Sequence, residues 1–196
     1  MRRHFRITIG MVIVAGFLAV PTAAQAAGEF CTGHVTTIFG TNGPDSPATG
    51  FVGTSGDDVM FAFRGDDVVL GAAGDDQLCG SKGDDEIDGQ DGHDGLYGGD
   101  DDDTIRGGAG RDVIYGLGDN DVVGGGRGVD YVDGGSGADR VRGGSHADAL
   151  YGGTGDDVLN AIGGGADQVF GDGGADTCRV DALDTYESCE FVELVA

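Results

Sequence analysis

The sequence predicts an all-β fold, a parallel β-solenoid built from about fourteen repeats of nine residues. Aspartate recurs every nine residues from Asp58 onward, with a single one-residue insertion near the end of the series. An apolar residue follows each of these aspartates by two positions, beginning with Met60. A Gly-rich turn of six residues and a strand of three form too short a unit for a helix, so the strands stack around a common core. All three prolines precede Thr49, which leaves every repeat able to donate its ladder hydrogen bonds.

The first 26 residues carry the pattern of a secretory signal peptide. Arg2, Arg3 and Arg6 form a positive start, residues 7–20 form a short apolar region, and residues 24–26 read as an Ala-x-Ala cleavage site. A membrane anchor is the alternative, but this apolar stretch falls short of the ~20 residues that span a bilayer. We therefore expect a secreted, extracellular protein.

The charge of the chain narrows the classes of partner. The formal net charge is −24 at pH 7, and the sequence pI is about 4.1. Removal of the predicted signal peptide takes away three arginines and leaves the mature chain more acidic still. Such a chain repels phosphate and anionic lipid, so we expect no nucleic-acid partner and no membrane insertion. Metal cations are the expected partners.

The repeat loops contain three departures from glycine. Glycine stands two positions before the aspartate in eleven of the fourteen repeats, and Asp101, Asp119 and His146 stand there in the others. Aspartate and histidine tolerate a positive φ better than most residues. We expect these three loops to be strained but retained.

The regions flanking the repeats are predicted to be caps, which divides the chain into a signal peptide (1–26), an N-terminal cap (27–52), the repeats (53–179) and a C-terminal cap (180–196). The N-terminal cap contains a degenerate repeat, GTNGPDSPA, which we do not count because Pro47 stands where the core residue belongs. Apolar residues of the C-terminal segment, among them Phe191 and Leu194, are expected to cover the last turn. Asp181 and Asp184 are interpreted as surface residues, although either could complete a final ion site.

Four cysteines in an oxidising compartment predict two disulfides, and three connectivities are open. Cys178 occupies the last core position and Cys189 follows eleven residues later, so we expect a Cys178–Cys189 bridge that ties down the C-terminal cap. Cys31 would then pair with Cys79 and tie the N-terminal cap to the first turns.

The individual repeats resemble a known family. The units GGAGRDVIY (residues 107–115), GGSGADRVR (134–142) and GGTGDDVLN (152–160) match the nonapeptide G-G-x-G-x-D-x-U-x of the RTX, or haemolysin-type, calcium-binding repeats. The resemblance covers residues 53–179. It implies a flattened β-roll in which alternate repeats build opposite sheets, so that eighteen residues complete one turn and the roll has about seven turns.

The resemblance also implies the cofactor and its ligands. Ca²⁺ takes six to eight oxygen ligands, which Gly-rich loops supply as carbonyls and the loop aspartates as carboxylates. In the family each ion lies between loops on the same edge of neighbouring turns, so the paired aspartates here stand eighteen residues apart, as Asp58 and Asp76 do. Up to about twelve Ca²⁺ ions follow from this pairing. The implied ligands are Asp58, Asp67, Asp76, Asp85, Asp94, Asp103, Asp112, Asp121, Asp130, Asp139, Asp148, Asp157, Asp167 and Asp176.

Folding is expected to depend on calcium. Each repeat buries one apolar side chain, while its glycines lose more conformational entropy on folding than other residues do. The negative charge of the chain opposes its compaction further. We therefore predict a metal-free chain that is largely disordered and a β-roll that forms on binding Ca²⁺.

The two outer faces of the predicted roll differ. One carries aromatic residues, namely Phe61, Tyr97, Tyr115, Tyr131, Tyr151 and Phe170. The other carries Arg106, Arg140, Arg142 and Arg179. Stacking of the aromatic side chains across neighbouring strands is the favoured interpretation, and a docking strip for a glycan or protein partner is the alternative.

These observations predict a structural calcium-binding protein without catalysis. About 26 mature residues precede the repeats, too few for a catalytic domain, and the sequence contains no G-x-S-x-G or H-E-x-x-H motif. Two alternatives remain open. One is a cell-surface adhesion module that uses the aromatic face, and the other is an accessory repeat domain of a secreted enzyme system.

Overall fold

A computed structural model describes residues 36–41, 43–45 and 51–195 of the protein. The predicted signal peptide and most of the predicted N-terminal cap lie outside these residues, so those boundaries stay predictions. The described residues form a parallel β-solenoid of about eight turns, and they contain no helix. The predicted fold class is confirmed.

The strands divide between two sheets that face each other across the core. The nine-stranded sheet contains, in spatial order, β1 (Thr36–Phe39), β2 (Asp58–Phe61), β4 (Gln77–Lys82), β6 (Gly95–Asp100), β8 (Val113–Gly118), β10 (Tyr131–Ser136), β12 (Ala149–Thr154), β14 (Gln168–Gly173) and β16 (Thr185–Glu187). The eight-stranded sheet contains β3 (Val68–Ala73), β5 (Glu86–Asp91), β7 (Thr104–Ala109), β9 (Val122–Arg127), β11 (Arg140–Ser145), β13 (Val158–Asn160), β15 (Thr177–Val180) and β17 (Phe191–Leu194). From β2 onward, consecutive strands alternate between the sheets, as predicted, whereas β1 and β2 are neighbours in the same sheet.

The register of the strands follows the predicted eighteen-residue turn. Tyr131 of β10 pairs with Val113 of β8 on one side and with Ala149 of β12 on the other. Most strands have six residues rather than the predicted three. They extend into the first three residues of the following loop, where Gly108 of β7 pairs with Gly126 of β9. The residue at this position has a positive φ, which glycine adopts at the lowest cost in free energy and which Ala72, Gln90 and Leu117 also adopt in their repeats.

One apolar side chain from each repeat fills the space between the sheets. Each of these side chains is at most 1 % exposed. They are Met60, Val69, Leu78, Ile87, Leu96, Ile105, Ile114, Val123, Val132, Val141, Leu150, Leu159, Val169 and Cys178. The core is thus a single file of side chains that runs the length of the roll, with one contributed alternately by each sheet.

The three loops that lack glycine two positions before the loop aspartate keep the loop conformation of the other repeats. Asp101, Asp119 and His146 have φ values of 82°, 67° and 85°. These are left-handed conformations that non-glycine residues adopt at some cost in free energy. The expectation of strained but intact loops agrees with these angles.

The degenerate N-terminal repeat is part of the solenoid, which corrects the expectation that it does not count. Asp45 is buried, and its carbonyl accepts a 2.8 Å hydrogen bond from the N–H of Val68. Val52 forms a bridge with Leu70, which brings the buried Phe51 level with the next core residue. The core position of this repeat therefore belongs to Phe51. The chain between Asp45 and Asp58 is four residues longer than the nine-residue repeat requires, which moves the core position from Pro47 to Phe51.

The C-terminal segment lengthens the roll, whereas the sequence predicted that it folds across the last turn. β16 pairs in parallel with β14, and β17 pairs in parallel with β15. Phe191 and Leu194, expected to cover the core, are 62 % and 69 % exposed. Together with β1, these strands bring the roll from the predicted seven turns to about eight.

The predicted Cys178–Cys189 disulfide is present, and its Cα atoms lie 5.9 Å apart. It joins the last core position of β15 to the loop before β17. Cys79 is also disulfide-bonded and fully buried. Its predicted partner, Cys31, lies outside the described residues, so that pairing stays a prediction.

Candidate metal centres between the loops

The fourteen predicted ligands end the loops on the two edges of the roll. The first edge consists of the loops that lead into the nine-stranded sheet, and the second edge of those that lead into the eight-stranded sheet. The aspartates of the first edge are Asp58, Asp76, Asp94, Asp112, Asp130, Asp148 and Asp167, and those of the second edge are Asp67, Asp85, Asp103, Asp121, Asp139, Asp157 and Asp176. All fourteen are at most 3 % exposed. Carboxylates are rarely buried to this extent without a partner.

One carboxylate oxygen of nearly every loop aspartate has a backbone partner in the preceding turn. The N–H of Asp103, for example, donates a hydrogen bond to Oδ1 of Asp121. Twelve such bonds of 2.8–3.0 Å form two continuous ladders, one along each edge. The two that cross the one-residue insertion end at Asp167 and Asp176. The structure thus brings together all twelve predicted pairs, and their role as calcium ligands stays a prediction.

The other carboxylate oxygen of each loop aspartate is buried and has no hydrogen-bond partner among the residues that the structure describes. This oxygen is Oδ1 in Asp58 and Oδ2 in the other thirteen predicted ligands. A buried anionic oxygen without a partner costs free energy, because it has lost its hydration and gained nothing in exchange. A hard cation bound at the loops would supply the missing partner of these oxygens.

Backbone carbonyl oxygens lie close to these carboxylate oxygens. A Cβ placed on Gly134 would meet Oδ2 of Asp139 at 2.5 Å and the carbonyl oxygen of Gly152, in the next turn, at 2.7 Å. Glycine at the start of this loop therefore lets a carboxylate and a carbonyl from adjacent turns converge, and most of the loops have glycine at this position. Both are the hard oxygen donors that Ca²⁺ prefers, so the residues present fit the ion.

Backbone carbonyl oxygens must supply many of the ligands of any ion bound between the loops. Within the part of the chain that the structure describes, no three His, Cys, Asp or Glu side chains are clustered closely enough to hold one ion. The loops instead offer one buried carboxylate for each turn together with glycine carbonyls. This composition agrees with a mixed set of carboxylate and carbonyl ligands.

Burial raises the pKa of the loop aspartates, most strongly in the middle of the second edge. Loss of hydration raises the pKa of Asp103 to about 9 and that of Asp121 to about 8. The backbone N–H donated to each carboxylate lowers the pKa, and the charges of neighbouring aspartates raise it further. The pKa of Asp85 is raised to about 7 by the same causes. Ionisation of these groups at neutral pH therefore opposes folding.

A second, exposed ladder runs along the outside of the loops in the opposite direction. Here the residue before the loop aspartate accepts a hydrogen bond from the backbone eighteen residues later, as Asp102 does at 2.8 Å from the N–H of Asn120. Asp57, Asp75 and His93 continue the same pattern on the first edge. The nine-residue period did not predict this ladder, although the paired aspartates of several repeats are its signal.

The ladders end on acidic residues outside the regular repeat. Asp167 donates its N–H to Oδ1 of Asp184 at 3.0 Å, and Asp176 donates its N–H to Oε2 of Glu190 at 2.8 Å. The sequence offered Asp184 as a residue that could complete a final ion site, whereas it did not predict a role for Glu190. At the other end of the second edge, Asp45 donates its N–H to Oδ1 of Asp67 at 2.5 Å. The spacings of 17, 14 and 22 residues explain why the nine-residue period did not reveal these contacts.

The predicted aromatic face lies on the outside of the nine-stranded sheet. Ring centroids of neighbouring strands are 4.8–5.6 Å apart in a continuous row of Tyr97, Tyr115, Tyr131, Tyr151 and Phe170. Phe61 stacks instead with Phe39 and Phe63 near the N-terminal end. The rings therefore pack against one another across strands, as the favoured interpretation expects. A glycan or protein partner on this face stays a prediction.

Comparisons with known proteins agree with the geometry of the loops. Within the described residues, no helix is long and apolar enough to cross a membrane. No curated protein matches the chain. The sequence matches the family profile described as the RTX calcium-binding nonapeptide repeat (4 copies), over residues 51–78, 80–105, 97–132, 124–159 and 163–179. These segments cover more than half of the chain, which therefore belongs to the RTX calcium-binding nonapeptide repeat family.

Proposed function

We propose that this protein binds several Ca²⁺ ions between the loops of neighbouring turns, outside the cell, and that it folds into the solenoid as it does so. Membership of the family and the solenoid fold support a calcium-binding structural repeat protein. The observation that carries the proposal is the buried carboxylate oxygen without a hydrogen-bond partner, repeated in fourteen loops.

The dependence of folding on calcium follows from the balance of charge and core. The core receives one apolar side chain per repeat, and the loops place a buried carboxylate beside each of them. Without a cation these carboxylates must either stay protonated or pay the free energy of desolvation. Binding of Ca²⁺ to the folded loops alone would contribute its full binding free energy to folding.

The number of ions follows from the number of neighbouring loop pairs. Twelve pairs of the predicted aspartates lie in adjacent turns, six on each edge, which supports up to about twelve ions. The contacts made by Asp45, Asp184 and Glu190 extend the two rows at their ends. We propose that these end contacts close the rows and that the twelve regular pairs hold the ions.

The extracellular location is supported by the sequence and by the disulfides. Residues 1–26 carry the pattern of a signal peptide, and disulfides persist in oxidising compartments. Extracellular calcium modules work at about 10⁻⁴–10⁻³ M Ca²⁺. A chain that folds in this range would stay unfolded at the much lower calcium concentration inside a cell. The role proposed for the folded rod is structural and binding, without catalysis.

Far-UV circular dichroism of oxidised residues 27–196 tests the proposal. The protein would be titrated from chelator to about 10 mM Ca²⁺, with Mg²⁺ as the control because it demands a tighter octahedral site. We expect a cooperative change from a disordered to a β spectrum in Ca²⁺ alone. A disordered spectrum throughout would contradict calcium binding and folding together. A β spectrum already present in chelator would contradict the folding step, and calorimetric titration would then test binding separately.

A further inference from the structure

A groove of about 1120 Å³ lies on the outer face of the eight-stranded sheet, away from the loop aspartates of both edges. It crosses strands β5, β7, β9, β11 and β13. Gly124 of β9 lies at its centre, and a Cβ on this residue would have no atom within 4 Å. The groove is thus an open depression in a sheet face that otherwise carries side chains.

Arginine is concentrated around this groove. Arg106, Arg127, Arg140 and Arg142 all line it. Only eight of the eleven lysines and arginines follow residue 26, so half of these cationic side chains surround one groove of a strongly acidic protein. A surface that served only solubility would not collect its few positive charges in this way.

Most of these arginines have no acidic partner. Arg106 forms an ion pair of 2.8 Å with Glu86. Arg127, Arg140 and Arg142 form no ion pair with any residue that the structure describes, and all three are exposed. Arg140 and Arg142 project from the same face of β11, where like charges repel one another. This repulsion lowers the stability of the folded roll, and a negatively charged ligand bound between the arginines would offset it.

The register defines the shape of the ligand. Gly124 pairs with Arg106 of β7 on one side and with Arg142 of β11 on the other. The two arginines are therefore separated by two strand spacings, about 10 Å, with an open gap between them. Guanidinium groups bind planar carboxylates through two parallel hydrogen bonds. A fitting ligand has carboxylates spaced along an extended chain that crosses the strands.

On the next strand beyond each of these two arginines lies a polar side chain that carries no positive charge. Asp88 pairs with Arg106, and Asn160 pairs with Arg142. A chain that is anionic at every unit and carries no hydroxyl group would be repelled by Asp88. A sugar hydroxyl can instead donate a hydrogen bond to Asp88 or Asn160.

We propose that this groove binds a linear polysaccharide whose sugar units carry carboxylate groups. Arg106, Arg140 and Arg142 bind the carboxylates, and Asp88 and Asn160 bind the hydroxyl groups at the two ends. Gly124 leaves room for the sugar ring between the arginines. The site lies on a sheet face, so the proposal depends on the folded roll and not on how many ions the loops hold.

Calorimetric titration of residues 27–196 with hexagalacturonate, in Ca²⁺ throughout, tests this site. Arg140→Gln combined with Arg142→Gln is expected to weaken binding at least about tenfold, since two charged hydrogen-bonding groups are lost. The control combines Arg64→Gln with Arg111→Gln, which removes the same charge at two exposed positions outside the groove and is expected to leave the affinity within about twofold of the parent. Gly124→Val is a second variant, expected to weaken binding by filling the gap while the sheet is kept.

Four results would overturn the proposal. The first is equal weakening by the groove variant and its control, which would indicate a general charge effect. The second is equal binding of a neutral glucan hexamer, and the third is tighter binding of hexaglutamate, which would make an acidic peptide the ligand. The fourth is an affinity that rises with Ca²⁺ and ignores the arginine substitutions, because the loop ions would then bridge to the sugar.

Discussion

The N–H of Asp103 donates a hydrogen bond of 2.8 Å to Oδ1 of Asp121, eighteen residues further along the chain. Asp103 itself accepts the same kind of bond from Asp85 in the preceding turn. Each buried carboxylate therefore fixes the backbone of its neighbour while its second oxygen stays without a hydrogen-bond partner. Structural support and the proposed ion binding thus use different oxygens of one side chain.

Asp103→Asn should separate these two roles. The amide oxygen can still accept the N–H of Asp85, but the amide nitrogen replaces the oxygen offered to a cation. We expect the calcium midpoint of folding to rise about twofold or more, with fewer ions bound, since a charged ligand is lost. Asp102→Asn is the matched control, because it makes the same change at an exposed position of the same loop. Equal effects of the two variants would argue against the buried carboxylate as a ligand.

The metal-free protein should respond to acid. Burial raises the pKa values of Asp85, Asp121 and Asp103 to about 7, 8 and 9, above the ordinary value of 3.8. A raised pKa in the folded state favours folding below pH 3.8, and this stability is lost as the pH rises through these values. We expect circular dichroism in chelator to show more β structure at pH 4 than at pH 9. A signal that stays constant over this range, or that changes in the opposite sense, would contradict the expectation.

In the presence of calcium the same groups should give the opposite dependence on pH. Ca²⁺ requires ionised carboxylates, so protons compete with it for the loop aspartates. The calcium concentration at the midpoint of folding is therefore expected to fall as the pH rises from about 3 to 5, through the ordinary pKa of 3.8 at which the aspartates of the disordered metal-free chain ionise. Calorimetry at about pH 4 in buffers of different ionisation enthalpy would detect the protons released on binding. Binding that releases no protons at this pH would contradict the competition between protons and Ca²⁺.

The first glycine of the loop should resist substitution. In Gly134→Ala the new methyl group would lie 2.5 Å from Oδ2 of Asp139 and 2.7 Å from the carbonyl of Gly152. We expect a loss of about 1–3 kcal/mol in the free energy of unfolding, because the crowded atoms belong to the backbone and to a fixed carboxylate. Gly124→Ala is the control, since its methyl group meets no atom within 4 Å. Chemical denaturation in Ca²⁺ compares the two, and equal losses would refute the steric explanation.

The Cys178–Cys189 bridge should stabilise the C-terminal turn. It closes a loop of eleven residues, and a crosslink of this length is worth about 3 kcal/mol by loop entropy. Cys189→Ser leaves Cys178 in the core and is expected to expose β17 to hydrogen exchange while β9 stays protected. Uniform protection of both strands in the variant would show that the bridge is not needed to hold the tail.

The aromatic row should contribute stability through its rings. Tyr97→Ser combined with Tyr115→Ser removes a stacked pair with centroids 5.6 Å apart. We expect a loss of at least about 1 kcal/mol in the free energy of unfolding. Tyr186→Ser is the control, since Tyr186 is 45 % exposed and lies outside the row. If stability fell while binding of glycans or proteins was unchanged, the docking alternative for this face would be eliminated.

The ends of the roll show where the nine-residue period loses its predictive power. Pro47 suggested that the first unit was lost, yet Phe51 supplies its core position after extra residues. Asp184 and Glu190 receive the last ladder bonds although neither stands at the expected spacing. At an end of the roll, the last backbone N–H of the ladder donates its hydrogen bond to an acidic side chain that the local chain path brings within reach.

The sequence by itself determined the solenoid and its core, and its resemblance to the RTX repeats implied the two sheets and the twelve neighbouring aspartate pairs. A strict repeat allows this because each unit contacts only its copies one turn away, so local spacing is also spatial spacing. Tertiary structure alone decided which carboxylate oxygen pairs with the backbone, how the row closes at Asp45, Asp184 and Glu190, and that Gly124 opens a gap between Arg106 and Arg142. These features depend on distances between side chains and on buried groups left without partners, which a one-dimensional period does not contain.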